Sequence, residues 1–452
     1  MQLDRLTAAL EPIEVANAAA IEIADLAYDS RDVQPGALFF CVRGASVDGH
    51  DLAADAVTAG AGALVVERML DLPVPQVLVP SVRAAMPAVA VAFFGDPSRE
   101  LEIAAVTGTN GKTTTAFLLR AILEAAGRRP ALLTNIERRV GGELLPTGLN
   151  TPEAIDLQRL LRAMVDAGDR SLAMEATSIA ASQNRLRGTR FAVLVFTNLT
   201  QDHLDFHGTM EEYFEAKRGL FEQAEHAVVN VGDEWGRRLA AELPHAATFS
   251  PDDRLPALAL RLRGTFNRTN ALGAVAAGRA LGIDDAAIRA GIESVTGVPG
   301  RFEPVDEGQP FSVIVDYAHT PDSLSNVLTA ARGLGDGRLM VVFGAGGDRD
   351  REKRPLMGGV ARALADRAIV TTDNPRSEDP AAIAAEVSAG ELEVIVDRRA
   401  AIEAAIEAAE PGDVVVIAGK GDDREMEIAG GTVPFDDREV ARAALRRAGA
   451  TA

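Results

Sequence analysis

Residues 103 to 115, IAAVTGTNGKTTT, hold the densest set of groups able to do chemistry. An apolar run breaks at Thr107 into a turn carrying Gly108, Thr109, Asn110 and Gly111, then closes on Lys112, Thr113 and Thr114. Glycine leaves room for backbone N–H groups to approach an anion, and a helix starting here aims its positive end at the same spot. Lys112 would bring a point charge to the β- and γ-phosphates of a nucleotide, and Thr113 a hydroxyl ligand for Mg²⁺. The common form of such a loop has a glycine five positions before Gly111; Val106 stands there, so this loop is a shorter variant. An ordinary glycine-bearing strand-to-helix turn is the bland alternative.

Other polar groups cluster where apolar runs end. SLAMEATS closes on Glu175, Thr177 and Ser178, and FAVLVFTNLT releases directly into QDHLDFHG, which holds two of the chain's six histidines, His203 and His207. The carboxyl ends of parallel strands are where α/β proteins place ligands. A magnesium already bound to phosphate and carboxylate oxygens can take one imidazole; a polar loop with helix-capping aspartates is the other reading. In YFEAKRGLF, Lys217 falls on a different helix face from Phe214, Leu220 and Phe221, and by itself reads as solvated. Asn267 and Asn270 suit amide hydrogen bonds to a purine and suit helix caps equally well. In the last third, strand ends carry Asp316 and His319, Arg349, Asp373-Asn374-Pro375-Arg376, and Lys420 with Asp422 and Asp423. Two arginines there suit a substrate with carboxylates, because guanidinium forks match carboxylate geometry. GAGGDRD does not complete G-x-G-x-x-G, which argues against a dinucleotide site.

The elements that must position these groups follow from the apolar pattern. A chain of 452 residues suggests roughly three domains. Residues 1–97 alternate short strands (ALFFCV, GALVVE, QVLVP) with helical stretches, a small α/β unit ending at GDPSRE. Residues 98–297 repeat strand, loop and helix around the phosphate loop, with VGGELLPTGLNTPEA as a polar connection and a long linker running through HAVVNVGDEW. Residues 298–452 carry five apolar strands separated by helices, a doubly wound parallel sheet of Rossmann-like type. Apolar content of 47% and charged content of 25% are those of a soluble globular protein. No membrane insertion is expected, since no run approaches a membrane span and the start lacks a basic region before an apolar core; the expected location is cytoplasmic. Cys41 is the sole cysteine, which excludes an internal disulfide, and its place inside ALFFCV reads as a buried small hydrophobe. A net charge of −20 sets nucleic acid aside as a partner.

Taken together, TGTNGKTTT, FTNLTQDHLDFHG, YFEAKRGLF, VPGRFE, VDYAHTPDSL, GAGGDRDREKRPLMG and DNPR resemble the Mur ligases over nearly the whole chain, most closely those members that add the third residue of the peptidoglycan stem peptide. The resemblance implies a UDP-binding domain, a central ATPase and a carboxyl-terminal domain for the amino acid. It implies ATP and Mg²⁺ as cofactors, and a UDP-N-acetylmuramoyl dipeptide and meso-diaminopimelate as substrates, in a protein that acts as a monomer. By the same resemblance Ser30 contacts the uridine nucleotide. Residues 108 to 114 with Asn270, Arg301 and Asp316 hold ATP. Thr113, Glu175, His203 and Lys217 hold metal, Lys217 as a carbamate, which reverses its solvated reading. Asn150, Thr151, Thr177, Gln183 and Arg185 meet the acceptor substrate. Arg349, Asp373, Asn374, Pro375, Arg376, Gly419 and Asp423 form the amino-acid site, with Arg376 clamping the distal carboxylate. Lys112, Lys217, Glu175 and His203 carry the catalysis. The chain departs from the family pattern at Ile179, where a histidine is usual, at Asn150, where a threonine is usual, and at Asp422-Asp423, where histidine and glutamate are usual. Alternatives are a ligase of the same fold using L-lysine, LL-diaminopimelate or a non-peptidoglycan acid, and a nucleotide switch or binding module without ligase turnover.

Overall fold

The short apolar runs near the amino terminus assemble into one sheet because each is long enough to be buried on both faces. In this computed structural model, which describes residues 1–10, 12–17, 19–44 and 47–451, the sheet order is Glu14–Ala16, Gln76–Leu78, Ala63–Val66, Ala37–Phe40, Asp25–Ala27. Only the first pairing is antiparallel. Leu38, Phe40, Val65 and Val77 pack with Met86 and Val89 of the helix Val82–Phe94, while Phe39, Cys41, Leu64 and Val66 face the opposite layer. Cys41 is fully buried, and burial pushes its thiol up to about 12, as an inert core residue requires.

The chain divides into two compact units that do not follow chain order. One comprises Met1–Thr107, Gly127–Val195 and Ala216–Ala227; the other comprises Gly108–Ala126, Phe196–Glu215 and Val228–Ala452. The first unit also holds the strands Glu102–Thr107, Ser171–Glu175 and Pro130–Leu133, adjacent in that order and parallel. The stretch read as a polar connection contains a hairpin instead, Arg138–Val140 with Glu143–Leu145. Its two turn residues, Gly141 and Gly142, have φ of 58° and 89°, the left-handed pair that a two-residue hairpin demands.

In the second unit, the helix Lys112–Ala125 buries Leu118, Leu119 and Ile122 and packs against the helices Thr265–Ala280 and Asp285–Ser294. Gly291 permits this, since a Cβ there would lie 2.5 Å from the Ile122 Cα. The expected long linker is ordered: Val228–Asn230 pair in parallel with Ala247–Phe249, and the helix Glu234–Glu242 between them is capped by Asp233. The carboxyl-terminal sheet runs Glu303–Pro304, Ser312–Asp316, Val414–Ala418, Leu339–Phe343, Arg367–Val370, Glu393–Val394. All its pairings are parallel except the first. One face packs Val341 and Phe343 on Leu324, Leu328 and Met357; the other packs Met340 and Val342 on Ile402, Ile406 and Val440. Val414–Ala418 inserts between Ser312–Asp316 and Leu339–Phe343, and because these strands and Arg367–Val370 are parallel, the carboxyl ends that carry or lead to Asp316, Gly344, Asp373 and Gly419 lie on the same side of the sheet. A further hairpin, Glu425–Ile428 with Gly431–Pro434, follows that inserted strand and was not anticipated.

Candidate functional site

The phosphate loop is built so that its glycines cannot be replaced. A Cβ on Gly108 would stand 1.9 Å from Thr197 Oγ1, and one on Gly111 would stand 2.3 Å from Asn270 Oδ1. Their φ values, 143° and 86°, also lie where side chains are disfavoured. The segment after Phe196 clamps the loop from outside. Thr109 N donates to Asn198 O at 2.9 Å, Asn110 N to Asn198 Oδ1 at 2.9 Å, and Thr197 Oγ1 to Asn110 O at 2.6 Å. Thr109 Oγ1 donates to Thr200 O at 3.1 Å and lies 3.1 Å from the buried Tyr213 hydroxyl. Lys112 Nζ donates to Gly108 O at 3.0 Å and Thr109 O at 2.7 Å, so its charge folds over the loop. Thr113 and Thr114 are buried at the start of the helix. A glycine loop that opens a helix and is closed by an ammonium fits a nucleotide polyphosphate.

Asn267 and Asn270 divide the two readings between them. Asn267 Nδ2 donates to Arg263 O at 2.7 Å, a helix-end bond, whereas Asn270 is pressed against Gly111 and donates to Asn267 Oδ1 at 3.1 Å. His203 has φ of 54° and follows Asp202, a buried carboxylate. Burial would raise Asp202, but the hydrogen bond from His319 and the charges of His203, His319 and Lys353 outweigh it and hold it well below the carboxylate range. Lys353 Nζ lies 3.7 Å from Asp202 Oδ1, and Asn110 Nδ2 donates to Asp322 Oδ2 at 2.8 Å. Neither Asp322 nor Lys353 was singled out from the sequence, although both lie inside the motifs HTPDSL and REKRP.

In the first unit, Glu175 ends its strand almost fully buried, and its backbone carbonyl accepts from Thr151 Oγ1 at 3.0 Å. Thr177 Oγ1 donates to Thr151 Oγ1 at 3.2 Å, and Arg185 donates to Thr151 O at 3.1 Å and to Gln183 Oε1 at 2.5 Å. Thr151, Thr177, Gln183 and Arg185 therefore form one connected cluster, with Asn150 beside it in sequence. Glu153, which the sequence reading passed over, forms ion pairs with Arg185 and Arg83, at 3.0 and 3.2 Å. Ser30 opens a short helical turn capped by Asp29 and is half-buried. Lys217 is 1% exposed in the helix Met210–Arg218, which removes its solvated reading. The buried Glu175 carboxylate is a hard oxygen donor of the kind that suits Mg²⁺. Among the described residues no three His, Cys, Asp or Glu side chains are grouped as a metal site.

At the carboxyl-terminal sheet edge, Arg301 Nη1 pairs with Asp422 Oδ1 at 3.0 Å while its guanidinium lies 4.2 Å from the Tyr317 ring centroid. The Asp316 carboxylate accepts from Phe302 N at 2.6 Å and Ala318 N at 2.7 Å, and burial, opposed by Arg301, raises it to about 6. Gly419 abuts Asp373, since a Cβ on it would stand 2.3 Å from Asp373 Oδ2. Lys420 Nζ donates to Asn374 Oδ1 at 3.0 Å. Arg376 Nη1 and the Arg349 side chain both flank Gly346, at 3.0 and 3.7 Å from where its Cβ would be. Burial raises Asp423 to about 6, with Lys420 opposing and Asp422 and Asp373 reinforcing. Asp373 to Arg376, Gly419 and Asp423 thus meet where two strands end.

Three family models match in chain order: "Mur ligase family, catalytic domain" over residues 22–106, "Mur ligase middle domain" over 106–254 and "Mur ligase, glutamate ligase domain" over 300–421. The UDP-N-acetylmuramoyl-L-alanyl-D-glutamate–2,6-diaminopimelate ligase of Geobacillus thermodenitrificans is 44% identical over 487 residues, covering 99% of each chain. The protein of the same name from Geobacter metallireducens is 41% identical over 503 residues, covering 99% of this chain and 98% of its own. A solved structure of a ligase of that name is 31% identical with a TM-score of 0.67, covering 98% of both chains. The MurF ligase of Thermotoga maritima in complex with ADP shares the fold at 20% identity and a TM-score of 0.63, covering 94% of this chain and 96% of its own.

Proposed function

Since the chain belongs to the Mur ligase family, we propose that it joins meso-diaminopimelate to UDP-N-acetylmuramoyl-L-alanyl-D-glutamate, with conversion of ATP to ADP and phosphate, in the cytoplasmic synthesis of peptidoglycan precursors. The observation that carries this is near-full-length identity of 44% to a ligase of that name. No described helix is long and apolar enough to cross a membrane. In this reading residues 1–97 serve the UDP end through Ser30, residues 98–297 serve ATP, residues 298–452 serve the amino acid, and the enzyme acts as a monomer.

A carboxylate is a poor electrophile, so amide formation needs an activated acyl group. The D-glutamyl γ-carboxylate takes the γ-phosphoryl group of ATP, releasing ADP. The neutral amine of diaminopimelate then attacks the acyl phosphate carbon, phosphate leaves, and the amine proton goes to solvent. The loop from Gly108 to Thr114 holds the phosphates, Lys112 neutralises them, and Asn270, Arg301 and Asp316 hold the rest of the nucleotide. Thr151, Thr177, Gln183 and Arg185, with Asn150, hold the acceptor. Thr113, Glu175, His203 and a carbamylated Lys217 would hold Mg²⁺, which would supply charge neutralisation between two anionic reactants. Arg349, Asp373 to Arg376, Gly419 and Asp423 hold the amino acid.

The test is a panel of amines with the UDP-dipeptide, scored by phosphate release and by mass of the product. Meso-diaminopimelate should be turned over best; activity with L-lysine or LL-diaminopimelate instead would reassign the amine, and ATP hydrolysis without an amide product would end the ligase reading. Asp423 adds a pH signature. If its carboxylate meets the substrate ammonium, it does so only when ionised, above about 6. The KM for diaminopimelate should therefore rise as pH falls through that value, while Asp423→Asn should show a high KM with that limb absent. A wild-type KM that stays flat there removes Asp423 from the amino-acid site.

A further inference from the structure

The fork of Arg376 is filled by a carboxylate of the chain itself. Arg376 Nε donates to Glu427 Oε2 at 2.7 Å and Nη2 to Glu427 Oε1 at 3.4 Å, the two-pronged arrangement a guanidinium makes with a substrate carboxylate. Glu427 lies on the hairpin strand Glu425–Ile428, whose backbone is laced to the same loop. Arg376 N donates to Glu427 O at 3.1 Å, and Glu427 N donates to Asn374 Oδ1 at 2.9 Å.

These backbone bonds matter because they hold the loop without the Glu427 side chain. Arg376 Nη1 is anchored separately, donating to Gly347 O at 2.8 Å, and the residue's left-handed backbone, φ 51°, is kept by its neighbours. The guanidinium therefore does not need the Glu427 carboxylate to be aimed. The Glu427 side chain is 50% exposed and that of Arg376 20% exposed, so water and solutes reach the pair and the carboxylate can swing away. An ion pair this exposed contributes little stability.

We propose that Glu427 is a specificity-determining residue whose carboxylate stands in for the distal carboxylate of the incoming amino acid and caps Arg376 until diaminopimelate displaces it. This rests on the reading of Arg376 as the clamp for that carboxylate. An amine lacking a distal carboxylate leaves Glu427 in place. Such an amine does not strand an unpaired guanidinium, which is the usual source of strong rejection. Glu427 thus weakens diaminopimelate binding and softens the discrimination against L-lysine.

Steady-state kinetics of the full chain at saturating ATP and UDP-dipeptide test this, reading the KM for meso-diaminopimelate and the inhibition constant of L-lysine. Glu427→Gln should lower the diaminopimelate KM about three- to fivefold, the scale of one exposed ion pair, with kcat unchanged and the lysine constant raised, because bound lysine then leaves Arg376 unpaired. Arg376→Ala should raise that KM, and adding Glu427→Gln to it should change nothing further. A diaminopimelate KM that is unchanged or raised in Glu427→Gln, or one that falls together with the lysine constant, overturns the proposal while the clamp stands, provided Arg376→Ala still raises it. If Arg376→Ala leaves the KM unchanged, the clamp and the proposal fall together.

Discussion

Lys217→Ala is expected to lower kcat by roughly 10³-fold, equivalent to about 4 kcal/mol of transition-state stabilisation, with the protein still folded. The reason begins with burial. Lys217 is 1% exposed, and an ammonium taken out of water loses several kcal/mol of solvation. A lysine amine that adds CO₂, with loss of a proton, becomes a carbamate, an anion that a divalent metal can neutralise. On that account, acetate or formate should partly restore turnover to Lys217→Ala by supplying the missing carboxylate, and propylamine should not. Kinetics with and without added acid check this. A variant with full activity, or equal rescue by the amine, would remove the carbamate from the site.

The largest effect on stability is expected at Arg398, a residue without chemistry of its own. Arg398 and Asp437 are both fully buried and joined by two bonds, Nε to Oδ1 at 2.8 Å and Nη2 to Oδ2 at 2.6 Å. Arg398 also donates to Thr372 O at 3.1 Å and Ala418 O at 3.0 Å, the carbonyls just before Asp373 and Gly419. Removing the guanidinium leaves a buried carboxylate uncompensated. Arg398→Ala should therefore cost about 3–5 kcal/mol in urea unfolding of the carboxyl-terminal transition. The double variant Arg398→Met with Asp437→Leu should recover most of it, because neither charge is then stranded. Since the same bonds hold two strand ends of the proposed amino-acid site, the double variant should keep its stability yet raise the KM for the amine. If the single variant costs less than about 1 kcal/mol, the pair is not the anchor described here.

Much of the architecture was legible because its signals are local. Apolar runs of four to six residues marked the parallel strands, and the break after Val106 into glycine and lysine marked the phosphate loop. Asp373 to Arg376 and Gly419 to Asp423 read as strand-end residues without knowledge of their partners. The misses were local signals given too little weight: Gly141-Gly142 as a hairpin turn, and HAVVNV as a strand rather than part of a linker. Lys217 failed for another reason. The spacing itself had been misjudged: Lys217 stands three positions after Phe214 and four after Tyr213, both buried, and residues so spaced share one helix face.

The sequence by itself determined where the backbone is bare enough to approach a phosphate, at Gly108 and Gly111, and which groups end each strand, since both are matters of residue type and of neighbours along the chain. Tertiary structure alone decided which distant charges satisfy one another. Arg301 is matched to Asp422, Arg398 to Asp437, Asp202 to His319 and Lys353, and Arg376 to Glu427. Such pairings depend on sheet order and on where a late strand inserts, and no spacing in the chain encodes that. Coulomb energy falls with distance through space, so the charges that tune this site are set by the fold that brings them within four ångströms.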